Sequence, residues 1–239
     1  IPMAILSLDA SQCYDRVNHI LMGLIWIVLT RNPMVVLVIL SCLQVMEFIQ
    51  RTGYGDSDDS FGIINCLITW MGLGQGSRGA AHGWMQLSTV IVNVMKKTGH
   101  VSDMVNPITK EKINSVGSLF VDDANLMVWG DRKQYNNVKK LYVKVKATSR
   151  AWACLLIATG GALKPAKCFW WLIGYVNIKG RWFYERTKDT PLEVLGDDRE
   201  VIEVLSLGTK EEKKSLGMFV CPEGGSMEQL ELIKEKVKG

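Results

Sequence analysis

"SLFVDDANLMVW", residues 118–129, sets two adjacent carboxylates between two apolar runs. Burying an ionised carboxylate costs on the order of several kcal/mol unless a cation or a hydrogen-bond partner compensates it. Neighbouring side chains of a strand point to opposite faces, so Asp122 and Asp123 share one site only where the chain turns. Asp and Asn favour turns, and DDAN between two apolar runs therefore predicts a β-hairpin with its turn at residues 122–125.

A second acidic strand end makes a metal site possible at this hairpin. "MAILSLD", residues 3–9, has the apolar pattern of a strand and ends in Asp9. A pair of divalent ions about 4 Å apart, as in nucleotidyl transfer, needs carboxylates from at least two chain segments. Mg²⁺ prefers oxygen ligands and neutralises them. Asp9 with one or both tip aspartates is thus a candidate metal site, and a solvated hairpin tip is the alternative.

Hydrophobic periodicity predicts two amphipathic helices, at residues 82–98 and 133–157. Two apolar stretches lie within residues 20–49, and the three-residue spacing of Ser41, Gln44 and Glu47 in the second predicts a buried helix with one wet face. Their continuous apolar runs fall well short of the roughly 18 residues that a membrane span needs, so membrane association is only an alternative. "RTGYGDSDDSFG", residues 51–62, predicts a solvated turn.

Composition is that of a globular protein, with 48% hydrophobic and 22% charged residues. The net charge of +4 is carried by residues 1–178, since residues 179–239 are slightly acidic, and a basic body suits a polyanionic partner. The six cysteines are scattered and form no CxxC pair, which excludes the common zinc spacings. We therefore expect a reducing, cytoplasmic or nuclear location. The first residue, Ile1, and the helix-like end suggest a piece of a longer polypeptide.

Five short motifs in order make the chain resemble the palm of reverse transcriptases, most closely those of non-LTR retrotransposons. The motifs resembling A to E of that family are, in turn, LSLDASQCYDRVNH (6–19), MGLGQGS (71–77), LFVDDANLMV (119–128), TGGALKPAKCFWW (159–171) and KSLGMFV (214–220). The resemblance implies an α+β fold, in which an antiparallel sheet has helices 82–98 and 133–157 packed on one face. Residues 1–178 would hold the palm core, with 20–70 as a helical connection to partial fingers, and 179–239 the primer-grip region and the start of a thumb.

The resemblance also implies roles for individual residues. Asp9 and Asp122 would be the principal metal ligands and catalytic carboxylates, with Asp123 supporting them and two Mg²⁺ (or Mn²⁺) ions as cofactors. The substrate-binding residues would be Tyr14, beneath the incoming sugar, with Gln75 and Gly76. Lys167, or in its place Lys164, would protonate the departing pyrophosphate. The primer grip would be Leu216 and Gly217, and Asp15 would cap the next helix.

The function implied is RNA-directed DNA synthesis, in which a dNTP is joined to a primer 3′-OH. The partners would be an RNA or DNA template, the primer, the dNTP and the rest of a retroelement polyprotein, without a membrane. Gly74 and Ala80-Ala81 depart from the prolines usual around motif B, and we expect the fingers segments, which precede motif A in the family, to be missing from this piece of the chain. We therefore expect weak or no polymerisation by this chain alone. A non-catalytic nucleic-acid-binding relic is the alternative, and a viral RNA polymerase is disfavoured by Tyr14 and by FVDD.

Overall fold

The structure, a computed structural model, describes residues 1–239 except 46, 63–71, 75, 76, 107, 122, 132, 133, 135, 136, 186–190, 197–199, 216, 217, 226 and 239. The helices in this part of the chain are α1 His19–Thr30, α2 Pro33–Gln44, α3 Arg78–Lys97, α4 Val138–Ala158 and α5 Met227–Lys238. The strands in chain order are β1 Met3–Ser11, β2 Glu47–Thr52, β3 Gly55–Gly62, β4 Ser102–Val105, β5 Lys112–Ser115, β6 Gly117–Phe120, β7 Asp123–Trp129, β8 Ala162–Leu163, β9 Phe169–Ile178, β10 Arg181–Glu185, β11 Leu192–Leu195, β12 Val201–Leu207, β13 Lys213–Ser215 and β14 Met218–Val220. The fold is therefore of mixed α/β type.

The chain forms two compact units. The first contains residues Ile1–Ser11, Ile91–Leu156 and Ala162–Gly239, and the second contains Gln12–Val90 and Ile157–Gly161. The boundaries of these units differ from the predicted functional division into residues 1–178 and 179–239. That functional division stays a prediction.

The first unit is built on an eight-stranded sheet in the order β11-β12-β9-β1-β7-β6, with β10 paired to β9 and β8 paired to β1. The pairs β9–β1, β1–β7 and β7–β6 are antiparallel, as predicted. The prediction of a wholly antiparallel sheet is wrong for one pair, because β12 runs parallel to β9. Parallel neighbours need a long connection, and the chain between Ile178 and Val201 is long enough to make one.

Side chains alternate strictly between the two faces of β1. Leu6 lies opposite Leu126 on one side and Trp170 on the other, and all three are fully buried. The opposite face carries a smaller apolar cluster built on Phe169, Trp171 and Ile173 from β9. The polar residues Ser7 and Asp9 share that second face because they alternate with Leu6 and Leu8.

Helix α4 packs on the sheet of the first unit. The ring of Tyr142 stacks on that of Trp170 with centroids 6.1 Å apart, and Arg150 approaches Glu193 of β11 to 3.9 Å. The predicted helix 133–157 is thus confirmed with a later start, at Val138. The other predicted helix is confirmed as α3, whose stripe Trp84, Leu87, Ile91 and Met95 is buried. Its packing on the same sheet face stays a prediction.

Asparagine residues cap the two helices that open the second unit. The Asn18 side chain accepts hydrogen bonds from the backbone N–H groups of Ile20 and Leu21, and Asn32 does the same for Val35. The expectation that Asp15 caps α1 is therefore wrong. The reason is local, because helical dihedrals begin only at His19 and the cap position falls on Asn18.

Apolar side chains cover the outer surface of α1 and α2, and for α2 this contradicts the prediction of a buried helix with one wet face. Within the described part of α2, only Val36 is buried. Leu37 is 56% exposed and Val28 of α1 is 75% exposed. Both helices are apolar around their whole circumference, so one packing face cannot bury them. In the described residues no helix combines the length and apolarity needed to cross a membrane.

Residues 51–59 are mostly exposed, in line with the predicted solvated turn, but the segment forms a hairpin rather than a turn. Strands β2 and β3 pair antiparallel, and only Gly53 and Tyr54 lie between them. An exposed ion pair joins Arg51 Nε to Asp56 Oδ1 at 2.6 Å across the strands. Cross-strand pairing of this kind offsets the low strand propensity of the aspartates.

Candidate metal centre

Asp9 and Asp123 lie side by side on adjacent antiparallel strands. Asp9 of β1 is the register partner of Asp123 of β7. Directly opposite residues in such a pair share a face, with Cβ atoms about 4.5–5.5 Å apart. The structure therefore brings together one carboxylate from each of two chain segments, as the metal-site hypothesis requires. Asp9 is buried, with 8% of its surface exposed, whereas Asp123 is half-buried.

The hairpin turn lies earlier than the predicted DDAN. Strand β6 ends at Phe120 and β7 already begins at Asp123, which leaves residues 121 and 122 between them. Val121 has a φ of 55°, a left-handed conformation that is unusual for a β-branched residue. Asp123, expected only to support Asp9 and Asp122, is held in the strand directly opposite Asp9. Pairing of β7 with both β1 and β6 outweighs the turn preference of Asp-Ala-Asn.

Lys167 provides a cation beside the buried carboxylate. Its Nζ lies 3.0 Å from Asp9 Oδ2, and its side chain is 58% exposed. The backbone explains this placement: β8 pairs with the end of β1, and the 3-10 turn Pro165–Lys167 follows at once. The Lys164 backbone N–H donates to the Asp9 carbonyl at 2.9 Å, whereas the Lys164 side chain is exposed. Of the two predicted lysines, Lys167 is the one whose ammonium group pairs with the Asp9 carboxylate.

Cys168 lies directly behind Asp9 in the core. Its Sγ is 3.9 Å from the Asp9 carbonyl oxygen and 3.3 Å from that of Lys164. Burial disfavours the thiolate and raises the pKa of the Cys168 thiol to about 11. The group is therefore a neutral thiol at physiological pH, and it helps to hold the backbone on which Asp9 sits.

The next row of the same sheet face is polar but uncharged. Ser7 pairs with Asn125, and Asn125 Nδ2 lies 3.5 Å from Ser215 Oγ of β13. Strand β13 thereby approaches the row beside Asp9 and Asp123. Sequence reasoning missed Ser7 and Asn125, although the period-two spacing of Ser7 and Asp9 was a signal that they share a face.

Five of the predicted site residues fall outside the described part of the chain: Asp122, Gln75, Gly76, Leu216 and Gly217. Their roles stay predictions. Among the described residues, no group of three or more Asp, Glu, His or Cys side chains is placed to hold a metal ion. The described pair fits a hard divalent cation in its chemistry, since it offers carboxylate oxygens from two strands on one face.

Tyr14 belongs to the second unit, where hydrogen bonds tie its segment to the one leading into motif B. The Leu73 N–H donates to the Tyr14 carbonyl at 2.7 Å, and the Gly72 N–H donates to Val17 at 2.8 Å. The buried His19 places its Nε2 2.5 Å from the Gly72 carbonyl oxygen. Sequence reasoning gave His19 no role, although it ends motif A. The role of Tyr14 beneath a sugar stays a prediction.

The fold and the site together define a mixed α/β protein with an acidic pair across the adjacent strands β1 and β7 of its sheet and a lysine beside the more buried acid. No protein-family model matches the chain. The comparison with curated proteins gives no match either.

Proposed function

We propose that this chain is the palm part of an RNA-directed DNA polymerase of the reverse transcriptase type, which adds a dNTP to a primer 3′-OH. The observation that carries the proposal is the register of Asp9 with Asp123. Motifs A and C are more than 100 residues apart in the chain, yet Asp9 of motif A and Asp123 of motif C are neighbours on one sheet face. Antiparallel strands β9, β1, β7 and β6 support a palm of this kind.

The residues of the site suit nucleotidyl transfer. Asp9, Asp122 and Asp123 would hold Mg²⁺ or Mn²⁺, which supplies positive charge to the primer oxygen and the triphosphate. Asp9 and Asp123 present their carboxylates from rigid paired strands, so little reorganisation is needed to bind a cation. Lys167 offsets the charge of Asp9 and stands within reach of an anionic group that approaches it. Specificity for sequence would come from template pairing, with the protein contacting the nucleic-acid backbone.

The proposal predicts that Asp9→Asn weakens Mn²⁺ binding by the whole chain at least about tenfold, since it removes one of two adjacent anionic ligands. Binding is measured by the loss of the free Mn²⁺ signal in electron paramagnetic resonance. Asp103→Asn is the matched control, because Asp103 is an exposed aspartate on β4 of the same unit. Any residual primer extension must disappear in the Asp9 variant as well.

The outcomes separate the proposal from its alternative. Equal Mn²⁺ affinity in wild type, Asp9→Asn and Asp103→Asn would overturn the metal site. If the wild-type chain binds nucleic acid but takes up no Mn²⁺, the non-catalytic relic is the correct function.

Lys167→Met is expected to tighten Mn²⁺ binding about fivefold, because an ion pair worth about 1 kcal/mol no longer competes for Asp9. Without divalent cations the same variant is expected to unfold more easily, since a buried carboxylate loses its partner. Both effects are measured by Mn²⁺ titration and by thermal unfolding. Lys164→Met is the control, and identical behaviour of the two variants would mean that the Lys167–Asp9 pair has no influence on the site.

A further inference from the structure

The hairpin formed by β9 and β10 leaves its outer half uncovered. The first six residues of β9 are buried and the last four, Tyr175 to Ile178, are exposed. On β10, Trp182 is 70% exposed and Phe183 is 48% exposed. Large aromatic side chains are mostly buried in folded proteins, so a hairpin tip that exposes several of them is a candidate contact surface.

Three aromatic rings of this hairpin share one face. Trp182 pairs with Asn177, and Tyr184 pairs with Tyr175, so these four side chains point to the same side. The rings of Tyr175 and Tyr184 are 5.1 Å apart between centroids, at an angle of 35°. We call Tyr175, Trp182 and Tyr184 the aromatic face. Its outer members are available for stacking, since Tyr175 is 46% exposed.

The turn of the hairpin carries positive charge, and its backbone is fixed by left-handed dihedrals and a side-chain hydrogen bond. Residues 175–182 contain two cations, Lys179 and Arg181, and no carboxylate. Lys179 and Gly180 have φ values of 51° and 80°, the left-handed pair that matches the twist of a two-residue hairpin. Asn177 Oδ1 accepts a hydrogen bond from the Gly180 N–H at 3.0 Å. The two cations are therefore held at the tip of the hairpin, with Lys179 in the turn and Arg181 on the face of β10 opposite Trp182.

Carboxylates occur only toward the base of the hairpin. Glu185 ends β10, and Glu223 lies near Tyr184. Burial is the main cause that raises the pKa of Tyr184, and the charge of Glu223 raises it further. The outer part of the surface is thus cationic and aromatic. An anionic partner with flat apolar groups fits this arrangement better than a purely apolar one.

We propose that the aromatic face and its two cations bind single-stranded nucleic acid. Bases stack on Trp182 and Tyr175, while Lys179 and Arg181 contact the phosphates. Stacking on aromatic side chains combined with backbone contacts by cations is the general way in which proteins hold single strands without reading sequence. The inference shares its partner class with the proposed function, but it rests on the hairpin alone and does not need the metal site.

The test is fluorescence anisotropy of a labelled, unstructured single-stranded RNA or DNA with the whole chain. Trp182→Ala is expected to weaken binding about tenfold, the effect of losing one stacked base. Tyr54→Ala is the matched control, because Tyr54 is a fully exposed aromatic residue in the β2–β3 hairpin. Replacing Lys179 and Arg181 together with glutamine is expected to lower the salt slope by about 1.4, or about 0.7 for each lost phosphate contact.

Several outcomes would overturn the inference. One is equal affinity of the Trp182 and Tyr54 variants, and another is full displacement of the oligonucleotide by polyglutamate with no effect of Trp182→Ala. Unchanged thermal unfolding of Trp182→Ala shows that the fold is intact, as its exposure leads us to expect. Asp9→Asn should bind the oligonucleotide as the wild type does. If the wild-type chain takes up no Mn²⁺ but binds the oligonucleotide in a Trp182-dependent way, the proposed function is overturned and this inference stands.

Discussion

Replacing Leu6 with alanine is expected to lower the free energy of unfolding by about 3–5 kcal/mol, the largest effect of any single change considered. Leu6 is at the centre of β1, with Leu126 and Trp170 as its neighbours on the two adjacent strands. All three side chains have no exposed surface. Truncation removes buried apolar atoms and leaves a cavity that two rigid paired strands cannot close.

Chemical denaturation followed by circular dichroism measures this loss. Leu205→Ala is the matched control, since Leu205 is also a strand leucine of the first unit but is 50% exposed. The control is expected to cost less than about 1.5 kcal/mol. Equal losses for the two variants would mean that β1 is not the centre of the core.

Gly117→Ala is expected to detach β6 from β7 and to lower stability by about 3 kcal/mol. A Cβ atom at residue 117 would lie 2.1 Å from the Asn125 carbonyl oxygen and 2.7 Å from the Leu126 Cα. Both atoms belong to the backbone of β7, so no side-chain rotation relieves the overlap. The strands must separate, and the Phe120–Asp123 pair next to the turn is lost with them.

Hydrogen exchange of the β6 and β7 amides is the direct measurement, because their protection depends on this pairing. Gly53→Ala is the control: a Cβ there meets no atom within 4 Å. Under the proposed function, Mn²⁺ affinity also falls in the Gly117 variant, because Asp123 is no longer held opposite Asp9. Unchanged exchange in β6 and β7 would contradict the close approach of the two strands.

Local patterns predicted part of the regular structure. The strand at Met3 follows from its run of apolar residues, and the helices α3 and α4 follow from helical spacing, because each of these helices has an apolar stripe that is buried. The errors lie where local and tertiary preferences compete. DDAN has the composition of a turn, yet Asp123 is in a strand because β1 pairs with it. Likewise, the residue that caps α1 was predicted to be Asp15, but it is Asn18.

The candidate site was predictable in part. Asp9, Asp123 and Lys167 were all named from the sequence, and the structure brings them together. The contact of Lys167 with Asp9 could not be derived, since it depends on the pairing of β8 with the end of β1. The aromatic face of the β9–β10 hairpin was also missed. Its members lie on β9, whose first six residues are buried, and on β10, and sequence alone does not tell where burial ends.

By itself, the sequence determined the strand that carries Asp9, the hairpin at "SLFVDDANLMVW" and the amphipathic helices, because period and turn chemistry are local properties. Only the tertiary structure decided which carboxylate lies opposite Asp9, because register is set by pairing over more than 100 residues of chain. It also decided that Lys167 is the cation beside Asp9 and that the rings of β9 and β10 remain exposed. Burial and cross-strand neighbours are properties of the whole sheet, and a one-residue shift in register would have moved Asp123 to the opposite face.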